Sequence, residues 1–249
     1  MAAAAFDALA AGWDGRHGPW SPRGAGFRLR VALLRHLSRR QRPCRVLDVG
    51  CGTGLHLLAL AGQLESGLGI DLALAMIERA RRHAQAPGQA GRIRFDVLPA
   101  AALAGWPGEP FDLVLFLGSL EHIAAPAQAL RDAAGCLSQH GLLVTLILHP
   151  SHPLGRRACR CAGRGSMPPL RLIAPVEMEA WAVQAGVERV QAGRPVPVLG
   201  GLRAAGRHAA RPPFHHLPAT DIRLSRRGRA RNVATTPSSA AKAQTSMPD

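Results

Sequence analysis

The 249-residue sequence has no tyrosine, only 4% aromatic residues and no apolar run that approaches the roughly 20 residues of a membrane-spanning helix. The scarcity of aromatic side chains leaves few platforms on which nucleic-acid bases stack. The opening, MAAAAFDALAAGW, lacks the basic residues that begin a secretory signal peptide. We therefore predict a cytoplasmic protein without a membrane span, whose hydrophobic content of 47% suffices for a sizeable core.

Cysteines are also few, and their spacing argues against two common kinds of site. The five cysteines are an odd number without the regular spacing of a disulfide framework. Cys159 and Cys161 form a C-x-C pair, but no second pair completes a zinc site. We expect free thiols, as in a reducing cytosol, and no metal site.

Acidic residues are scarce in the C-terminal part of the chain. Residues 1–150 carry 15 basic residues against 11 acidic ones, and residues 151–249 carry 16 against 5. The formal charge of +15 therefore divides into +4 and +11. A basic tail attracts nucleic acid or an anionic surface, or it stays solvated without a partner. A nucleic-acid partner is possible but not favoured, because stacking residues are so few.

Short apolar runs alternate with amphipathic stretches between residues 45 and 192. The predicted strands are 45–50, 66–71, 92–98, 111–118, 141–148 and 187–192, and the predicted helices are 55–64, 72–84, 126–137 and 176–186. Continuously apolar strands separated by helices indicate a parallel sheet covered on both faces. We predict an α/β fold with a doubly wound, mostly parallel, Rossmann-like sheet. Ligands of such sheets bind at the C-terminal ends of the strands.

Both ends of the chain differ from this alternating region. We predict an N-terminal helical cap segment over residues 1–44, an α/β domain over 45–200 and a basic, low-complexity, largely disordered tail over 201–249. Residues 149–175 are rich in proline, glycine and arginine and predict a long loop. A seventh strand is expected only from residues 194–200, whose prolines confine it to an edge or a bulge.

Three glycines at alternate positions follow the first predicted strand. The stretch VLDVGCGTG places Gly50, Gly52 and Gly54 between a strand and a helix, where backbone amides can approach a ligand closely. Their spacing differs from the G-x-G-x-x-G of dinucleotide-binding proteins, and the lysine of a phosphate-binding loop is absent. A pyrophosphate is therefore not the expected ligand, and a purely structural turn is the alternative.

Two aspartates suggest what the ligand is. Asp71 closes the second predicted strand, where a carboxylate can accept hydrogen bonds from both hydroxyls of a ribose. Asp48 lies in a mostly buried strand end, so it must be hydrogen-bonded within the loop or paired with a ligand cation. Together they predict an adenosine-type ligand with an amino-acid tail.

The motifs VLDVGCGTG, GIDLALAMIERAR and FDLVLFLGSLEHI resemble those of the class I S-adenosylmethionine-dependent methyltransferases. FDALAAGWD, near the N-terminus, resembles the first helix of their small-molecule branch, which includes the quinone-biosynthesis enzymes. The resemblance implies S-adenosylmethionine as the cofactor. It also implies in-line transfer of the methyl group to an oxygen, nitrogen or carbon nucleophile of a small molecule.

The same resemblance implies roles for individual residues. Asp71 would take the ribose hydroxyls, and Leu72 and Met76 would flank the adenine. The residues expected around the methionine portion are Asp48, Gly50, Gly52 and Gly54. Family members usually place an acid after the third strand to hold the adenine amine. Pro99 stands there in this sequence, which leaves Asp96 as an imperfect substitute.

Leu117, Gly118 and His122 would lie near the reactive end of the cofactor. His122 is the candidate general base, because it follows the fourth strand at the ligand edge and an unperturbed imidazole titrates near pH 6.5. The alternative is that His122 only caps or packs against the next helix. Trp13 and Trp20 are candidates for an apolar lid or for simple packing of the N-terminal helix.

Two other functions stay open at this point. One is an RNA-directed methyltransferase that uses the basic tail, although the sequence lacks the [DNS]PP[YFW] stretch of aminomethylating enzymes. The other is an S-adenosylmethionine-binding protein without catalysis, which the missing acid at Pro99 keeps open. The sequence makes no prediction of the oligomeric state.

Overall fold

The computed structural model describes residues 2–17, 22–41, 44–85, 91–148, 159–162, 164, 168–191 and 220–227. The strands are β1 (Arg45–Val49), β2 (Ser66–Asp71), β3 (Ile93–Val97), β4 (Phe111–Leu117), β5 (Leu137–Leu148), β6 (Val187–Gln191) and β7 (Thr220–Arg227). The helices are α1 (Ala2–Trp13), α2 (Pro22–Arg40), α3 (Leu55–Leu58), α4 (Leu74–Ala84), α5 (Pro126–Gly135) and α6 (Pro175–Gln184). Short 3-10 turns cover Asp14–His17, Ala61–Gln63, Ala100–Leu103 and Leu120–His122.

The strands form one seven-stranded sheet in the order β3-β2-β1-β4-β5-β7-β6. Strands β1 to β5 run parallel to one another. Strand β7 lies between β5 and β6 and is antiparallel to both. The chain builds the sheet outward from β1 in one direction through β2 and β3, and in the other through β4 and β5. In doubly wound sheets, ligands bind in the crevice at the C-terminal ends of the two strands where this change of direction occurs, here β1 and β4. The predicted mostly parallel α/β fold is confirmed.

Alternate residues along the central strands face opposite layers of helices. Leu47 in β1 and Phe116 in β4 pack with α5 and α6, whereas Val46 and Leu115 pack with α2, α3 and α4. All four side chains are buried. Because successive side chains of a strand point to opposite faces, a strand covered on both sides is mostly apolar, and the buried Asp48 of β1 is an exception to this pattern.

Helix α3 is shorter than the predicted helix over 55–64. The carbonyl of Ala59 accepts the guanidinium of Arg35 at 3.0 Å, and the N–H of Gln63 bonds to Leu60 instead. The chain therefore leaves the α-helical hydrogen-bond pattern and continues as a 3-10 turn. Arg35 belongs to α2, a contact across 24 positions that local periodicity does not reveal.

The seventh strand contradicts one expectation. Thr220–Arg227 forms β7, within the segment assigned to a largely disordered tail, so that assignment is wrong for these residues. Its sequence, TDIRLSRR, does alternate apolar and polar residues at its centre, as a strand does. The short alternation was not recognised as a strand because the surrounding sequence is rich in arginine. The stretch 194–200, expected to supply this strand, lies outside the described residues, as do most of the predicted loop 149–175 and the rest of the tail.

Within the part of the chain that the structure describes, no helix has the length and apolar character needed to cross a membrane. The cysteines at positions 44, 51, 136, 159 and 161 are all free, and the first three are buried.

Replacing Leu224 tests the internal position of β7. Leu224 pairs with Val144 of β5 and Gln191 of β6, so a proline there removes an N–H from a strand with neighbours on both sides. We expect Leu224→Pro to lower the free energy of unfolding by about 2 kcal/mol or more in urea denaturation. Leu224→Val, which keeps the N–H, should lie near the wild type. Equal midpoints for the proline variant and the wild type would contradict the strand.

Candidate active site

An open cavity lies at the C-terminal ends of β1, β2 and β4. It holds about 790 Å³ of empty space, part of it open to solvent. Its wall is formed by Ala2, Ala3, Phe6, Trp13, Val49, Gly50, Gly52, Ile70, Asp71, Leu72, Met76, Leu98, Ala100, Leu117, Gly118, Ser119, His122 and Ile123. The residues therefore come from the N-terminal segment as well as from the sheet.

The glycine loop between β1 and α3 forms one wall. Gly50, Gly52 and Gly54 have φ angles of +73°, +55° and +76°, a region that glycine alone adopts without strain. Gly50 donates its N–H to the carbonyl of Ile70 at 2.8 Å, which holds the loop against the end of β2. A Cβ on Gly50 would lie 2.3 Å from the Cβ of Ser119, so glycine also allows the turn after β4 to approach.

Asp71 connects this loop to α4. Its Oδ2 accepts the N–H of Gly52 and its Oδ1 accepts the N–H of Ala73, both at 2.9 Å. A carboxylate offers about four lone-pair sites, so each oxygen keeps capacity for a donor in the cavity. Burial raises the pKa of Asp71, and the backbone hydrogen bonds oppose that rise.

Asp48 is a buried carboxyl group outside the set of side chains that line the cavity. It is 1% exposed, and among the described residues neither of its oxygens has a hydrogen-bond partner. Burial, and then repulsion by Asp71, raises the pKa of Asp48 to about 7. A buried carboxylate without partners is costly, so the site favours either a protonated Asp48 or a nearby cation.

Two carboxylates fasten the N-terminal segment beside the cavity. Asp7 of α1 accepts the N–H of Ala75 at 2.8 Å, in the first turn of α4, a helix without a side-chain cap of its own. Asp14 accepts the hydroxyl of Thr53 at 2.7 Å, and its other oxygen contacts Arg79 and, at 3.3 Å, His83. The loop, α4 and the N-terminal segment are therefore joined by polar contacts. Asp7 and Asp14 are the two aspartates of the FDALAAGWD motif, so this motif supplies both carboxylates.

Aromatic side chains from α1 cover the same cavity. The ring of Phe6 packs edge-on against Trp13 at 5.9 Å and against His122 at 5.0 Å between centroids. The Nε1 of Trp13 lies 3.4 Å from the position that a Cβ on Gly52 would take. Trp13 thus lies over the glycine loop, whereas Trp20 lies outside the described residues.

His122 lies in the turn after β4, and its Nδ1 is 2.5 Å from the carbonyl oxygen of Pro169. A carbonyl only accepts hydrogen bonds, so Nδ1 carries the proton and Nε2 of the neutral ring keeps its lone pair. Burial lowers the pKa of His122, while the Pro169 carbonyl and the charge of Asp71 act in the opposite direction.

Of the eleven residues expected around the cofactor, eight line this cavity and three do not: Asp48, Gly54 and Asp96. A Cβ on Gly54 would lie 2.5 Å from the ring of Phe95, so Gly54 serves packing. Asp96 contacts Arg94 at 2.8 Å and Arg81 at 3.5 Å instead. The structure therefore does not bring Asp96 to the position expected of the missing acid.

Several lining residues were not predicted, among them Phe6, Leu98, Ala100, Ser119 and Ile123. The backbone N–H of Leu98 bonds to the carbonyl of Asp71 at 3.1 Å, which brings the turn after β3 to the cavity. The rule that parallel strands end at one edge would have found Leu98 and Ala100. Phe6 stands far away in the sequence, and only its place in the FDALAAGWD motif of the predicted cap segment pointed toward the site.

Comparisons with known proteins agree with this geometry. Residues 47–145 match a family model described as a methyltransferase domain. The chain is 31% identical over 190 residues to the ubiquinone biosynthesis O-methyltransferase of Bordetella avium (strain 197N), which covers 74% of this chain and 78% of that protein. It is 34% identical over 191 residues to the enzyme of that name from Xylella fastidiosa (strain 9a5c), covering 73% and 76%. The chain belongs to the class I S-adenosylmethionine-dependent methyltransferases.

The fold is shared with a solved methyltransferase. The structure of magnesium protoporphyrin IX methyltransferase from Synechocystis PCC 6803 with bound S-adenosylhomocysteine superposes with a TM-score of 0.61 at 16% identity. The alignment covers 83% of this chain and 85% of that one.

S-adenosylmethionine is the cofactor of this methyltransferase, and the residues around the cavity fit it. The ribose of the cofactor offers two hydroxyl donors, and both oxygens of Asp71 retain acceptor capacity. Its amino-acid tail carries an ammonium group. The carboxyl group of Asp48 has no hydrogen-bond partner among the described residues, and a nearby positive charge would stabilise its ionised form. Leu72, 54% exposed, and buried Met76 give the cavity apolar surface of the kind that suits an adenine ring.

The raised pKa of Asp48 predicts how the cofactor-free methyltransferase responds to pH. Unfolded, Asp48 titrates near its ordinary value, so between about pH 4 and pH 7 only the folded state holds its proton. Stability then falls as pH rises, by about 1.4 kcal/mol per pH unit. In urea denaturation we expect the wild type to lose about 2 kcal/mol relative to Asp48→Asn between about pH 5 and pH 6.5.

Glu65→Gln, at an exposed site, is the control and should keep the wild-type pH dependence. A constant difference between the wild type and Asp48→Asn across this range would contradict the raised pKa of Asp48.

Proposed function

We propose that this enzyme methylates a phenolic hydroxyl of a small aromatic molecule and that His122 removes the proton. The observation that carries the proposal is the position of a histidine, with its tautomer set by Pro169, on the wall shared with Asp71 and the glycine loop. Support for an oxygen acceptor comes from the relatives, which are named ubiquinone biosynthesis O-methyltransferases.

The cofactor is held, in this proposal, by residues of β1, β2 and α4. Asp71 takes the ribose hydroxyls, Leu72 and Met76 flank the adenine, and Gly50 and Gly52 present backbone to the methionine portion. Leu117 and Gly118 lie toward the reacting end, and Asp48 compensates the ammonium charge from behind the wall. When bound, S-adenosylmethionine supplies a methyl group on a sulfonium, which is already an excellent leaving group.

A base is useful because the acceptor arrives protonated. A phenol titrates near pH 10, so at neutral pH a nearby base assists removal of its proton as the nucleophile forms. His122 suits this task, because its Nδ1–H is committed to Pro169 and Nε2 is left to accept a proton. Burial lowers the pKa of His122, so the ring stays unprotonated to lower pH than an exposed histidine would.

The remaining walls suit an apolar, planar acceptor. Phe6, Trp13, Leu98 and Ile123 contribute apolar surface, and α1 roofs the cavity from the N-terminal side. In-line displacement depends chiefly on bringing nucleophile and methyl carbon together where water is excluded. Aromatic and aliphatic walls of this kind exclude water and provide faces against which an aromatic ring packs.

The two alternative functions have less support. An RNA-directed enzyme would need stacking residues and a basic groove, whereas the walls described above are mostly apolar. A non-catalytic binding protein would have no need of a histidine held in one tautomer on the cofactor wall.

We also infer a cytoplasmic location, consistent with five free cysteines.

His122→Ala tests the proposed base. With labelled S-adenosylmethionine and a catechol such as 3,4-dihydroxybenzoate as acceptor, we expect kcat to fall about 100-fold or more. The affinity for S-adenosylmethionine, measured by calorimetry, should change less than about twofold, because His122 is not among its proposed anchors. The exposed control His36→Ala should keep wild-type kcat.

The pH profile provides the second readout. Because burial lowers the pKa of His122, kcat/KM of the wild type should stay high to lower pH than an exposed histidine base would allow, and the acid limb of the profile should vanish in His122→Ala. An active His122→Ala enzyme with an unchanged profile would overturn the assignment of the base.

A further inference from the structure

Glu121 is a buried acid next to His122 that the proposed chemistry does not use. It is 3% exposed and lies in the 3-10 turn after β4. Its Oε1 accepts the N–H of Leu148, the last residue of β5, at 2.5 Å. The Glu121 side chain therefore ties the turn that carries His122 to the end of the neighbouring strand.

The main chain of Glu121 makes a second connection. Its carbonyl accepts the N–H of Arg171 at 2.9 Å, two residues beyond Pro169, whose carbonyl meets His122 Nδ1. Residues 168–174, which we term the strap, therefore bind both members of the Glu121–His122 pair. Glu121 lies at the junction of β5, the strap and the turn.

The strap is itself anchored away from the cavity. Ile173 is fully buried in the core, and Arg171 pairs with Glu177 at 2.6 Å and stacks over Trp181 at 5.3 Å, both on α6. The other oxygen of Glu177 accepts the N–H of Ala174 at 2.8 Å. These contacts fix the carbonyl that meets His122 to the helix layer behind it.

We propose that Glu121 is a positioning residue for His122. It holds the turn against β5 and the strap, so that the carbonyl of Pro169 keeps the proton on Nδ1 and leaves Nε2 unprotonated. The inference rests on the proposed role of His122 as the base, although the positional effect on the ring is measurable without any turnover. Without Glu121 the turn loses its tie to β5 and the ring is free to change tautomer.

Two substitutions at Glu121 separate position from charge. Glu121→Gln keeps an oxygen acceptor for the N–H of Leu148, and burial already raises the pKa of Glu121 to about 7, so the neutral form is populated near neutrality. Glu121→Ala removes the acceptor and leaves that N–H without its side-chain partner. The first variant should preserve the position of His122 and the second should not.

The decisive measurement is the nitrogen-15 spectrum of the His122 imidazole, assigned by subtracting the spectrum of His122→Ala. At a pH where the ring is neutral, the wild type and Glu121→Gln should show a protonated Nδ1 and an unprotonated Nε2. Glu121→Ala should show a mixture of tautomers. In methyl transfer to the catechol, Glu121→Ala should lower kcat about 10- to 100-fold, with KM for S-adenosylmethionine within about twofold, and Glu121→Gln should restore it.

A second variant keeps the test decisive if Glu121→Ala does not fold. Arg171→Ala removes the exposed contacts of the strap with Glu177 and Trp181 without removing a buried group. This variant should also show a mixture of His122 tautomers. Arg131→Ala, an exposed change on α5, is its matched control and should not. Unmixed tautomers in the folded Glu121→Ala protein, or in Arg171→Ala where Glu121→Ala does not fold, would overturn the positioning role.

The two proposals fail in different ways. Mixed tautomers in Glu121→Ala together with full activity of His122→Ala would uphold the positioning of the ring and refute its role as the base. A single tautomer in Glu121→Ala, or in Arg171→Ala where Glu121→Ala does not fold, together with an inactive His122→Ala enzyme would refute the positioning role and uphold His122 as the base.

Discussion

The site depends on one carboxylate held between two backbone N–H groups. Asp71 accepts hydrogen bonds from Gly52 in the glycine loop and from Ala73 at the start of α4. Through these bonds the end of β2 sets the position of both elements that approach the cofactor. The arrangement requires a loop with left-handed backbone, which the three glycines supply. A donor in the cavity then meets an acceptor whose orientation is already set, which reduces the entropy cost of binding.

The N-terminal segment completes this site through charges placed far away in the sequence. Asp7 caps α4 in place of a side chain from that helix, and Asp14 joins Thr53 of the loop to Arg79 of α4. Phe6, the neighbour of Asp7 in α1, packs edge-on against His122. The glycine loop and α4 therefore line the cavity on one side, and they hold the N-terminal segment that covers it on the other. In the proposed function, cofactor and acceptor share this one cavity.

The sequence predicted the features that depend on local patterns. The buried strands were evident as apolar runs, and the loop and Asp71 were evident from their spacing, since strand ends of a parallel sheet meet at one edge. Contacts between distant segments were not predictable in this way. The bond from Arg35 to the end of α3, the contacts of Asp14 with Thr53, and strand β7 all depend on tertiary packing. Asp96 was predicted to replace the missing acid because of its position along the chain, but its carboxylate instead forms ion pairs with two arginines.

The most direct test of the account is calorimetric titration of S-adenosylmethionine and S-adenosylhomocysteine into the wild type and Asp71→Ala. We expect micromolar binding by the wild type and at least about tenfold weaker binding by the variant, roughly 1.4 kcal/mol. The loss is expected because the carboxylate holds the glycine loop and, in the proposed site, also accepts hydrogen bonds from the ribose of the cofactor. Folded wild-type protein that binds neither compound, or equal binding by the folded variant, would contradict the central role of Asp71.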